Sequence, residues 1–84
     1  MKTPLEIKSA SGVYLECTDG AKLIDGISSW CCAIHGYNHP QINRAITDQV
    51  NTLAHVMLGG LTHKPAKELA AKLVEISPAG LEHV

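Results

Sequence analysis

Sixteen residues, Asp25 to Pro40, carry most of the side chains in this chain that could do chemistry: DGISSWCCAIHGYNHP. The only Trp, Trp30, stands beside the adjacent Cys31 and Cys32, and His35, Tyr37 and His39 follow within nine positions. One chemistry is metal binding. Thiolates and imidazoles are zinc ligands, and Cys31, Cys32, His35 and His39 form a C-C-x2-H-x3-H cluster with a permitted His spacing. Neighbouring Cys side chains diverge, however, and Gly36 and Pro40 interrupt any single helix that would present positions 31, 35 and 39 together. The expectation is therefore no metal, with both Cys small, buried and unreactive. The other chemistry is ligand contact. Small residues let a backbone approach a ligand closely, and a flat aromatic with polar tips beside it shapes a pocket. Trp30 is the best single candidate for that contact, against the core-anchor role that patterning alone favours.

A second segment of similar character, HVMLGGLTH from His55 to His63, follows one helix later. Gly59-Gly60 is more than a helix stop requires and suggests close backbone approach. His55 and His63 read first as helix caps or surface residues. Asp19 and Asp25 are explained by turn and strand-end roles rather than as a catalytic pair. Neither a GxGxxG nor a GxxxxGK[ST], GxSxG or HExxH motif occurs.

The elements that position these segments follow from local pattern. Alternation predicts strands at Leu5–Lys8 and Gly12–Glu16, with a turn across Ser9–Gly12, and Val13 and Leu15 on one side. Thr18-Asp19-Gly20 is a hairpin signal, and Ala21–Asp25 reads as a third strand. Pro40 suits a first helical position, capped by Asn38 or His39. Ile42, Ala45, Ile46, Val50 and Leu53 then share one helical face. Pro65 opens another helix, in which Ala66, Leu69, Ala70 and Leu73 form a stripe and Glu68 and Lys72 are spaced for an i, i+4 pair. Ser77-Pro78-Ala79-Gly80 ends it, and Leu81–Val84 begins something apolar. The fold class predicted is α+β, a small antiparallel β-meander followed by two helices. Strands fall at about 5–25, a site loop at 26–39, a helix at about 40–54, a Gly-Gly loop at 55–63, a helix at about 64–77 and the start of a strand at 81–84.

Composition narrows the function. At 84 residues one small domain is the most this chain can form, and its burial is marginal. With 45% hydrophobic and 18% charged residues it is globular rather than disordered. A net charge of −1 with scattered Lys and Arg gives no electrostatic basis for nucleic acid or an acidic membrane as partner. Three Cys, two of them adjacent, make a poor disulfide framework, which fits a reducing cytoplasm. The first residues lack a signal-peptide core, and no apolar run reaches the roughly 18 residues of a membrane span.

GVYLECTDGAKLIDGISSWCCAIHGYNHPQIN, followed by AHVMLGGLTHKPAKELAAKLVEISP, resembles the N-terminal region of the class III, fold-type I family of pyridoxal-phosphate (PLP) aminotransferases. The combination of SSW, HGYNHP and GGLTH is similar to the biotin-pathway branch of that family. The resemblance covers about Ile7 to Val84. It implies that S-adenosylmethionine gives its amino group to PLP and that 8-amino-7-oxononanoate receives it, yielding 7,8-diaminononanoate. It also implies a homodimer with small-molecule substrates. Trp30 matches the aromatic that lines the substrate pocket, and Met57 and Gly59 match positions that one subunit lends to its neighbour's pocket.

The departures qualify that picture. Cys31 stands where the family has a second Trp, and Leu58 where it often has Phe. Leu81-Glu82-His83-Val84 resembles the strand leading to the Gly-Ser turn around the cofactor phosphate. None of the six Lys lies in the family's Schiff-base context. The chain alone is expected to be a fragment without transaminase activity, exposing helix faces that would pack on a larger domain. Two other classes stay open: a small zinc module built on Cys31, Cys32, His35 and His39, and a non-catalytic, truncated interaction module.

Overall fold

Three short strands pair as an antiparallel meander in the computed structural model, which describes residues 2–84. They are β1 (Ile7–Ser11), β2 (Tyr14–Cys17) and β3 (Lys22–Ile24), hydrogen-bonded in the order β1-β2-β3. The β1–β2 register sets Ser11 opposite Tyr14, Ala10 opposite Leu15 and Ser9 opposite Glu16, with an irregularity between Ile7 and Ser9. The ladder therefore runs through Ser9–Ser11, where a turn was expected, and the chain reverses at Gly12-Val13 instead. Gly12 has φ +59, a conformation that glycine takes without steric cost. Val13 consequently sits in the turn and not on a strand face. Between β2 and β3, Gly20 donates its N–H to Cys17 O at 2.9 Å, and the Asp19 carboxylate accepts from Ala21 N at 2.9 Å. An Asp that folds back on the backbone two residues later is a turn-forming device, so Asp19 has a purely local role.

The helices are α1 (Ser28–Cys31), α2 (Pro40–Thr52) and α3 (Lys64–Ile76). His39 Nδ1 accepts from Gln41 N at 3.2 Å at the start of α2. His63 is the N-cap of α3, its Nδ1 accepting from Ala66 N at 3.1 Å, with Pro65 in the first turn. Both imidazoles thus satisfy backbone donors that a helix start leaves without partners. The Glu68–Lys72 pair expected from spacing does not form. Lys64 reaches Glu68 at 3.6 Å and Lys72 reaches Glu75 at 3.1 Å, so each lysine takes an acid on the C-terminal side. These pairs are exposed and contribute little to stability. Leu81–Val84, expected to begin a strand, carries no regular structure. A strand exists only as a ladder partner, and none of the three strands pairs with it.

The chain divides into two compact units, one ending at Val50 and the other covering Asn51–Val84. Neither builds an interior. Among the described residues Cys17 is the one buried side chain. On α2 the apolar stripe expected from sequence is present but open: Ile42, Ile46 and Val50 are exposed, and no strand packs on them. In the second unit Leu69 and Ile76 of α3 are also exposed. A three-stranded sheet and an amphipathic helix each need a second layer against the apolar face. No helix among the described residues is long and apolar enough to cross a membrane.

Candidate functional site

The segment between β3 and α2, expected as a site loop at 26–39, contains a short helical turn. This turn is α1, and every residue of α1 has positive φ: Ser28 +51, Ser29 +46, Trp30 +57 and Cys31 +69. The ψ values of Ser29 (52) and Trp30 (49) complete a left-handed helical turn. For L-residues this conformation costs roughly 1–2 kcal/mol each, so four in succession cost about 4–8 kcal/mol. No glycine relieves it. Non-glycine residues held this way persist only where surrounding bonds over-determine them.

Those bonds converge on Asp25. Its carboxylate accepts from the backbone N–H of Ile27 at 2.9 Å and of Ser29 at 2.9 Å, and from the Tyr37 hydroxyl at short range. The Ser29 hydroxyl meets the same Tyr37 oxygen. Because the phenol proton is committed to Asp25, Ser29 is the donor in that contact. The turn closes further through Cys31 N to Ile27 O at 3.1 Å and Ala33 N to Ser28 O at 3.0 Å. Tyr37 is fixed in turn by a two-way backbone bridge to the β1–β2 turn: Gly12 N donates to Tyr37 O at 3.0 Å, and Tyr37 N donates to Gly12 O at 2.8 Å. Gly36 passes so close that a Cβ there would lie 3.2 Å from Gly12 O.

The charges follow. The Tyr37 hydrogen bond, and then the Ile27 and Ser29 amides, hold the Asp25 carboxyl below the ordinary aspartate value of 3.8. The same bond raises the Tyr37 phenol above its ordinary value, opposed by the donor Ser29. A carboxylate whose folded pKa is depressed contributes its stability above the unfolded value and loses it as pH falls through the folded one. The turn is therefore expected to stay ordered from neutral pH down to the ordinary aspartate value of 3.8 and to loosen as pH falls on through Asp25's depressed pKa. Following the near-ultraviolet circular dichroism of Trp30 during an acid titration checks this. A midpoint at or above 3.8 contradicts it.

Trp30 is 86% exposed, so it is not a core anchor. It borders a hollow of about 380 Å³ with Leu15, Asp25, Ile27 and Ser29. A second hollow of about 300 Å³ is bordered by Ser29, Cys32, His35, Tyr37, His39 and Ile42. The turn thus borders both hollows, with Ser29 shared.

Several expectations need correction. Cys31 and Cys32 are exposed and not buried, Cys31 ending the left-handed turn and Cys32 following it; only Cys17 is covered. Cys32 Sγ donates to Trp30 O at 3.8 Å. The zinc module kept as an alternative does not have its geometry here: His35 and His39 have ring centroids 6.3 Å apart, edge to face, and His39 spends Nδ1 on the α2 cap. Among the described residues no three His, Cys, Asp or Glu side chains are grouped to hold a metal ion. Gly59 and Gly60 have open space around them, so close approach within the chain is not what they serve, although Gly60 has φ +85. Met57 is exposed in the second unit. Sequence reasoning missed Tyr37 and the organising role of Asp25. The one available signal was the Asp-x-Ile and Asp-x3-Ser spacing of an Asp that folds back on its own backbone.

A covalently held carbonyl cofactor needs an amine in its pocket. Neither hollow beside α1 has a lysine on its border, and all six lysines are exposed. The residues present do not by themselves fit such a cofactor. They form one wall, not a closed site.

The family model described as Aminotransferase class-III matches residues 1–84. An adenosylmethionine-8-amino-7-oxononanoate aminotransferase from Buchnera aphidicola subsp. Baizongia pistaciae is 53% identical over 78 residues, which is 93% of this chain and 18% of that protein. The crystal structure of an enzyme of the same name from Methanocaldococcus jannaschii superposes with TM-score 0.91 at 34% identity, covering 98% of this chain and 19% of that one. An omega transaminase from Pseudomonas jessenii, solved in complex with PMP, gives TM-score 0.82 at 30% identity over 89% of this chain and 17% of its own. The chain spans about a fifth of the length of the relatives it matches.

Proposed function

This chain belongs to the class-III aminotransferase family, and from that membership we propose that it forms the substrate-facing wall of a PLP-dependent transaminase that aminates 8-amino-7-oxononanoate to 7,8-diaminononanoate, with S-adenosylmethionine as amino donor. The observation that carries this reading is Trp30, a large aromatic presented to solvent on a strained turn beside a hollow. A nine-carbon keto acid has an apolar middle and polar ends. An indole face suits that middle, excluding water and orienting the chain. When bound, the cofactor supplies the electron sink for amino transfer. This chain's residues contribute binding and orientation.

The segment 55–63 fits the same reading. Met57 and Gly59 would serve the neighbouring subunit of a homodimer, which accounts for a glycine pair with nothing of its own chain against it. Such an enzyme works on small molecules in the cytoplasm.

The test is a segment exchange. The matching part of the Buchnera relative is replaced by this chain, and formation of diaminononanoate from the keto acid and S-adenosylmethionine is measured. Turnover within about tenfold of the parent is expected, equivalent to a change of about 1.4 kcal/mol. A chimera that folds, binds PLP and makes no product overturns the reading. The 84-residue chain alone, mixed with PLP, is expected to give neither a stoichiometric shift of the cofactor absorbance nor turnover. Either result would mean that an amine of this chain reaches the cofactor.

A further inference from the structure

We propose that Asp25 and Tyr37 are positioning residues, which clamp the left-handed turn Ser28–Cys31 and thereby hold the Trp30 ring in the orientation in which it meets substrate. The inference rests on the substrate-wall reading of Trp30 and adds the device that sets the ring.

Four observations carry it. The turn is four consecutive non-glycine residues in the left-handed region, which relaxes unless held. Its second residue, Ser29, is held twice: its N–H by Asp25 and its hydroxyl by Tyr37. Trp30 is the next residue, and with 86% of its surface exposed it has little packing of its own to fix the ring. Finally, the clamp is anchored outside the segment, because the Gly12–Tyr37 backbone bridge ties it to the β1–β2 turn. Asp25 sits at the end of β3, where its N–H donates to Val13 O at 2.8 Å. Both arms therefore start from the sheet, and the strained turn is stretched between them. Neither residue need touch substrate.

Trp30 is the only Trp, so its fluorescence in the full 84-residue chain reports on this turn alone. In Tyr37→Phe the ring of residue 37 remains but both hydroxyl contacts go. The amplitude of nanosecond wobble in the Trp30 anisotropy decay is expected to about double, a local motion of the timescale that method sees. Asp25→Asn, which keeps the size of the side chain, is expected to act in the same direction. Adding Ser28→Gly to Tyr37→Phe is expected to reverse part of the added wobble, because glycine removes the left-handed cost of one of the four residues. Loss of a generally stabilising contact would not be repaired by a glycine.

In the segment-exchanged enzyme, Tyr37→Phe is expected to raise KM for the keto acid about fivefold while kcat changes less than about twofold, the signature of weakened uniform binding. Unchanged wobble in both Tyr37→Phe and Asp25→Asn overturns the clamp, whatever the enzyme does. Failure of Ser28→Gly to reduce the added wobble at all overturns it as well, as does a fall in kcat at constant KM. Increased wobble that glycine reduces, in a chimera whose parent makes no diaminononanoate, supports the clamp and counts against the proposed reaction.

Discussion

Trp30→Ala in the segment-exchanged enzyme is expected to lower kcat/KM for 8-amino-7-oxononanoate about 30- to 150-fold, almost all of it in KM. Covering a large apolar side chain with a ligand is worth about 2–3 kcal/mol, and each 1.4 kcal/mol is tenfold. The loss should fall on KM because the indole face meets the unreactive middle of the substrate, which is bound equally before and during reaction. Stability makes the result diagnostic. An 86% exposed residue contributes few contacts, and exposed substitutions usually lie within about 0.5 kcal/mol of neutral. A large fall in kcat/KM with an unchanged melting temperature is therefore the expected pair of results. A lower melting temperature with unchanged KM means that Trp30 packs against protein in the assembled enzyme and is not a substrate contact. Amino donor provides a control: a smaller change in KM for S-adenosylmethionine distinguishes loss of keto-acid contact from general damage.

What could be read from the sequence divides along a physical line. Period and punctuation report the elements, because they depend on neighbours in the chain. Pro40, Pro65 and the Thr18-Asp19-Gly20 turn signal each mark a place where the backbone has few options. The β1–β2 turn was misjudged because Ser9, Ala10, Ser11 and Gly12 all tolerate turns, and only the ladder to Glu16 and Leu15 selects Gly12-Val13. The left-handed turn could not be read at all. Ser, Ser, Trp and Cys have no left-handed preference, and the conformation arises from Asp25 and Tyr37, which lie three residues before the turn and six after it. Burial of Cys31 and Cys32 was misjudged for the same reason: small sulfur side chains are usually inside, but here the backbone presents them outward. The substrate role proposed for Trp30 comes from family resemblance and not from patterning, and its exposure is shared by the apolar stripe of α2.

Gly36→Ala is expected to be the most damaging small substitution in the first unit, because it combines two separate costs. Gly36 has φ +84, which a Cβ makes unfavourable by roughly 1–2 kcal/mol. The new methyl would also lie 3.2 Å from Gly12 O and 3.3 Å from Gly12 Cα. Both are backbone atoms and cannot swing aside as a side-chain end could. Relief requires the Gly12–Tyr37 bridge to lengthen, which weakens two hydrogen bonds worth about 1 kcal/mol each. The sum is about 2–4 kcal/mol. Gly20→Ala separates the two contributions. Its φ is +91 but no atom lies within 4 Å of its Cβ position, so it carries the conformational cost without the contact. Gly26→Ala, with open space and no positive φ, should be close to neutral. Amide hydrogen exchange at Gly12 and Tyr37 reads the bridge directly. Exchange is expected to speed up strongly in Gly36→Ala and little in Gly20→Ala. Equal acceleration in the two would mean that the close approach of Gly36 to Gly12 carries no energy. The same variant also bears on Trp30. Tyr37 follows Gly36 directly, so loss of the bridge moves the phenol away from Asp25 and Ser29, and Trp30 wobble should rise as it does in Tyr37→Phe. A methyl group on the far side of the turn would then change the mobility of a ring it does not touch, as a clamp anchored on the sheet requires.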